Sequence, residues 1–66
     1  MSEPIADPLE SAIEQARRTA VHGRERIHVI ESEDGGYELE TVARYKQLQR
    51  QEPVVATAIP DGTVRR

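Results

Sequence analysis

The sequence predicts a small single α/β domain of the α+β kind, with its elements in the order helix, strand, strand, helix, strand. Three observations predict it. Leu9, Ala12, Ile13, Ala16 and Ala20 recur at helical spacing behind a capping sequence. Two β-branched runs, Ile27 to Ile30 and Val54 to Ile59, have the length of strands and are bounded by turn residues. Between them lie a tight-turn sequence, Glu33-Asp34-Gly35-Gly36, and a run of good helix formers from Lys46 to Gln51.

Residues 1–6 are polar and contain a proline, as expected of a flexible N-terminal arm. The domain is expected over residues 7–64. Its first helix, about 8–22, opens on Asp7-Pro8-Leu9-Glu10. Asp7 can accept from the free N–H groups of the first turn, and Pro8 has no N–H to orphan. Glu10 stands three residues on, as in a capping box. Gly23 is the expected left-handed terminator, with His22 and Arg24 near the carbonyl end. In the strand over 26–32, Ile27 and Val29 face one way and His28 and Ile30 the other, so it is expected to be covered on both sides. Tyr37 and Leu39 form a brief return strand after the turn.

Residues 40–50 carry two patterns. Tyr37, Leu39, Thr41, Ala43 and Tyr45 alternate like a long hairpin arm, which would make the fold a meander packed on the first helix. Val42, Tyr45, Leu48 and Gln49 follow helical spacing, Thr41 is a usable N-cap and Pro53 stops the run. The preferred assignment is a helix over about 41–51. A strand over 54–59 and a turn at Pro60-Asp61-Gly62-Thr63 follow. Val64 onward reads as a last strand fragment or a tail, with residues 65–66 assigned to the tail.

Composition narrows the function. Sixty-six residues without Phe or Trp allow only a thin core. The absence of Cys removes disulfides and thiolate metal sites, so self-association or a partner surface is the expected source of extra stability. A net charge of −3 with interspersed signs argues against a general binder of phosphate backbones. No apolar run is long enough to span a membrane, and the first residues lack a basic-then-apolar signal pattern, so the expected location is the cytoplasm.

Few residues suggest chemistry. His22 and His28 are the only histidines, and no ligand cluster surrounds them; a helix end and a strand surface explain them better than a metal. Glu31, Glu33 and Asp34 lack the spacing of a calcium loop and read as a solvated hairpin tip. Gly35-Gly36 has no following Lys or Ser/Thr at phosphate-loop spacing. No hydroxyl stands in a strained elbow between glycines. Arg17, Arg18, Arg24 and Arg26 are the nucleic-acid candidate, diluted by Glu14, Glu25 and Glu31. Pairing of Glu14 with Arg17 and Arg18 along the helix is the simpler account. Arg44, Tyr45 and Lys46 form a second basic and aromatic group, of the residue types that anchor protein interfaces.

Over Ile27 to Ile59 the chain resembles ParB-type partition proteins and the sulfiredoxin-like fold they share. In that family an apolar strand leads through a D-G-Y-x-L turn, here around Tyr37, Glu38 and Leu39, into a helix opening with G-E-R-R. The resemblance implies a nucleotide phosphate and metal bound at that helix start. Here Val42, Ala43, Arg44 and Tyr45 stand in those places, so only Arg44 keeps a family residue. Val42 denies the close backbone approach that Gly allows, and Ala43 removes the carboxylate. The helix-turn-helix that follows in ParB proteins has no counterpart in these residues, so operator reading is not implied.

The expectation is therefore a non-enzymatic interaction or regulatory domain, with no cofactor, no metal and no catalytic residue. It would dock on a protein partner or on itself as a homodimer, with Tyr37, Arg44, Tyr45 and Lys46 at the contact. The resemblance implies a plasmid or phage setting. The alternative is a ParB-like nucleotide- or DNA-binding protein with weak nuclease or triphosphatase activity, Arg44 on the phosphate and Glu38 or Glu40 replacing the lost acid.

Overall fold

The computed structural model describes residues 7–66, and the arm expected over 1–6 lies outside them. Helix α1 spans Pro8–Gly23. Asp7 caps it as expected, its side chain accepting from the Leu9 N–H at 2.9 Å. Glu10 does not complete a capping box: its carboxylate receives Arg66 at 2.7 Å and ties the far end of the chain to the helix. The terminator is also displaced by one residue. Gly23 remains helical, and Arg24 takes the left-handed conformation at φ 53° and ψ 41°. Its N–H and that of Glu25 both turn back to the Ala20 carbonyl.

Strands β1 (Ile27–Glu31), β2 (Tyr37–Thr41), β3 (Val54–Ala58) and β4 (Val64–Arg65) form one antiparallel sheet in the order β2-β1-β3-β4. The fold class and the order helix, strand, strand, helix, strand hold, with β4 added. The tail assigned to 65–66 is thus partly strand, since Arg65 pairs with Thr57. Two glycines with positive φ close the hairpins, Gly35 at 88° and Gly62 at 94°, where a side chain would be strained. Asp34 accepts from Gly36 N–H and the Ser32 hydroxyl, which makes the acidic tip a self-bonded turn.

One face of the sheet packs on α1. Ile13, Ala16 and Ala20 of the helix meet Ile27, Val29, Ala56 and Ala58, all buried, and Tyr37 and Leu39 pack against the same cluster. Four of these buried side chains are alanines, so the layer is thin and depends on close approach of helix to sheet. Alternation sends His28 and Ile30 to the opposite face. Ile30 is fully buried there, so β1 is covered on both sides, as its sequence implies. A bulge between Val29 and Ile30 offsets the pairing with β3.

Helix α2 (Val42–Gln47) lies on this second face and is shorter than the expected 41–51. Thr41 caps it, accepting from the Arg44 N–H at 3.1 Å. Gln49 ends it by adopting φ 52°. The Gln49 N–H then reaches the Lys46 carbonyl and the Arg50 N–H the Tyr45 carbonyl, a Schellman pair. That turn sends Arg50 back over the sheet instead of onward along the helix.

Candidate functional site

The second face carries a row of polar residues across all four strands. Register puts Glu40 of β2, His28 of β1, Thr57 of β3 and Arg65 of β4 side by side on it. His28 Nδ1 and Thr57 Oγ1 are 2.8 Å apart. The imidazole also meets the Tyr45 ring edge-on, with centroids 5.0 Å apart and planes at 82°. Burial, with a smaller push from the Lys46 charge, holds the His28 pKa below its ordinary value. His28 is therefore a half-buried hinge between sheet and α2, not the surface strand residue its sequence suggests. The Tyr45 hydroxyl is committed as well, donating to the Glu52 carbonyl at 2.7 Å.

Beside this row, Arg50 lies within a cage of three carboxylates. It meets Glu38 at 2.6 Å, Glu52 at 2.7 Å and Glu40 at 3.4 Å, and its side chain is 16% exposed. Alternation along β2 is the cause: Glu38 and Glu40 project to one face and the turn after α2 delivers the guanidinium between them. Hydrogen bonds from Arg50 hold the Glu52 carboxyl at about 2 and that of Glu38 below its usual value. The same bonds, to Glu52 first and then Glu38, raise the Arg50 pKa further. Carboxylates so engaged make poor proton carriers near neutral pH. Arg44, 65% exposed, stands 3.6 Å from Glu40.

The sequence candidates do not form one surface. Tyr45 and Lys46 attend His28, and Arg44 flanks them through Glu40. Tyr37 is on the α1 side of the sheet, packed against the core. Of the basic candidates, Arg17 and Arg18 both bond Glu14, at 2.6 and 3.2 Å, and hold its carboxyl at about 2. Arg24 forms the left-handed turn, while Arg26 lines a separate groove of about 230 Å³ with Thr57, Ile59 and Arg65. Among the described residues no group of His, Cys, Asp or Glu is arranged to hold a metal ion. Arg50, Thr57 and Arg65 escape sequence reasoning. Only the Glu-x-Glu spacing at Glu38 and Glu40 hints that a cation belongs on that face.

The outer edge of β2 completes the site. Val42 N–H bonds to the Arg26 carbonyl, and Ser32 N–H to the Gly36 carbonyl, so Glu38 and Glu40 direct their backbone groups inward to β1. Tyr37 and Leu39, and the Thr41 N–H, direct theirs outward, where β2 has no neighbouring strand among the described residues.

Comparison with family models, with curated proteins and with solved structures finds no match to this chain. The fold belongs to the α+β class, a helix with a four-stranded antiparallel sheet, and the site combines a sheet edge that is open among the described residues with a polar cluster whose buried side-chain nitrogens and oxygens all have partners.

Proposed function

We propose that this protein is a small non-enzymatic interaction domain that regulates another protein by direct contact, and that the contact forms along the outer edge of β2. The observation that carries this reading is the outward backbone of Tyr37 and Leu39, unpaired among the described residues, in a strand of five residues. An extended segment of a partner can add there as a further strand, with main-chain bonds giving affinity and flanking side chains giving selectivity. Tyr37 and Leu39 offer one flank of that seat, and Glu38, Glu40 and Arg44 the other. The alternative, nucleotide or DNA chemistry at the start of α2, draws less support. The acids it needs, Glu38 and Glu40, are bound by Arg50, and Arg44 leans on Glu40.

A synthetic peptide of alternating Val and Lys, titrated into ¹⁵N-labelled protein, tests the proposal. The amides of Tyr37, Leu39 and Thr41 are expected to shift and gain exchange protection, while those of Glu38 and Glu40 stay as they are. Chemical synthesis of the chain with an N-methyl group on Leu39 should abolish the effect, because it removes an outward donor and no bond to β1. Undiminished binding by that variant would sink the edge. Shifts centred on Thr41 to Lys46 with ATP or CTP and magnesium would favour the nucleotide alternative instead.

A further inference from the structure

Four basic side chains, Arg24, Arg26, Lys46 and Arg65, form no close ion pair among the described residues, although the chain as a whole is acidic and the Arg65 charge is felt by the Asp61 carboxylate. Two of them, Arg26 and Arg65, border one groove on the second sheet face. Arg26 precedes β1 and stays in its ladder through the bond from Val42 N–H, so it projects on the same face as His28. Arg65 sits opposite Thr57 in β4 and shares that face. Both line the groove of about 230 Å³ whose remaining walls are Thr57 and Ile59. Lys46 reaches the far side of the same row, near enough for its charge to act on His28.

We propose that this groove binds a single phosphate-type oxyanion, carried as a phosphate monoester of a small molecule. Guanidinium forks from Arg26 and Arg65 match tetrahedral oxygens geometrically, and the Thr57 hydroxyl lies between them as a further donor. That hydroxyl is free to donate outward when His28 Nδ1 carries the proton and gives it to Thr57 Oγ1. The negative charge of a bound dianion, close to the imidazole, also favours the protonated His28.

The same surroundings argue against a nucleic-acid strand. No aromatic ring lines the groove, so no stacking platform for a base stands beside the two guanidinium groups. Glu40 closes the row on the β2 side and would repel a continuing backbone. The groove lies apart from the β2 edge and from Arg44, so it stands or falls separately from the proposed docking function.

The test is a titration of labelled protein with inorganic phosphate and, in parallel, with glycerol phosphate, with chloride adjusted to hold ionic strength constant. The expected result is saturable shifts confined to Arg26, Thr57, Ile59 and Arg65, together with a rise in the His28 pKa. Tighter binding of glycerol phosphate than of phosphate would identify the monoester as the ligand, and the reverse order would replace it with the free ion. Arg26→Ala and Arg65→Ala should each weaken binding about tenfold, the loss of one charge-assisted contact. Both residues are exposed, so an unchanged thermal transition separates lost binding from lost fold. Linear shifts spread equally over Arg17 and Arg18 would overturn the site. So would a single-stranded DNA oligomer that outcompetes both phosphates and moves those helix residues.

Discussion

His28 Nδ1 of the central strand lies 2.8 Å from Thr57 Oγ1 of the next strand, and its ring stands at 82° to that of Tyr45. This contact couples the sheet to α2 and makes the join sensitive to acid. The folded pKa of His28 lies below the ordinary 6.5, so the unfolded chain binds the extra proton first. The stabilisation is complete above about 6.5 and is lost as pH falls through the folded value. Lys46 and Tyr45 from α2, Glu40 from β2, and Thr57 and Arg65 from β3 and β4 are the groups facing the ring. Thermal melts stepped from neutral to mildly acidic pH should fall in this window, and His28→Phe, which keeps the aromatic contact, should flatten the decline there.

A second acid window belongs to the Arg50 cage. Glu52 titrates at about 2 when folded against an ordinary 4.5, so its contribution is present above 4.5 and disappears as pH drops toward 2. Arg50→Met should return the Glu38 and Glu52 carboxyls toward ordinary values and lower the melting temperature more than Arg44→Met does. Carboxyl-detected NMR titration reads the first effect directly. Unchanged carboxyl titrations in the Arg50 variant would rule out the cage in solution.

Burial on the second face makes Ile30 a structural anchor. Ile30→Ala should cost about 2–5 kcal/mol, the range for deleting a fully buried branched side chain. Leu48, 52% exposed at the end of α2, should tolerate Ala within about 0.5 kcal/mol. Urea unfolding of the two variants side by side separates an intact second layer from a one-sided sheet, in which Ile30 would be as dispensable as Leu48.

Both helices end on a left-handed residue that is not glycine, Arg24 after α1 and Gln49 after α2. Such a conformation costs an L-residue about 1–2 kcal/mol that glycine avoids. Arg24→Gly and Gln49→Gly should each stabilise the protein by up to about 1 kcal/mol, after the added freedom of the unfolded chain is set against the relief. Gly23→Ala tests the same assignment from the other side. Gly23 is helical with open space around its α-carbon, so Ala there should be stabilising or neutral.

Thr41→Ala removes the oxygen that receives the Arg44 N–H, and should cost about 1 kcal/mol in urea unfolding. With only six residues, α2 has little helical stability of its own, so amide exchange should quicken from Arg44 to Lys46 first.

What the sequence disclosed was local. Asp7-Pro8 and Thr41 cap their helices through bonds spanning two or three residues, and the two faces of β1 follow from alternation alone. The rest depended on residues brought together by the fold. Arg50 meets carboxylates two, ten and twelve positions away, on a turn that exists because Gln49 adopts positive φ. Gly23 drew the terminator one place early because composition favours glycine there, while the turn geometry fell on Arg24. Tyr37 and Tyr45 share a residue type, yet alternation in β2 and the crossover into α2 divide them between opposite faces of the sheet.

The strand order has a kinetic meaning. β1 is paired on one side by a neighbour joined through the five-residue loop 32–36 and on the other by a strand that arrives only after α2. Hairpin closure of β1 on β2 is a short-loop event, whereas β3 must bridge the whole α2 excursion before Ala56 and Ala58 can complete the layer under α1. Nucleation is therefore asymmetric. The hairpin and α1 can meet early, the docking of β3 is the committing step, and the first large opening of the native state is expected to release the β3–β4 half while the hairpin persists.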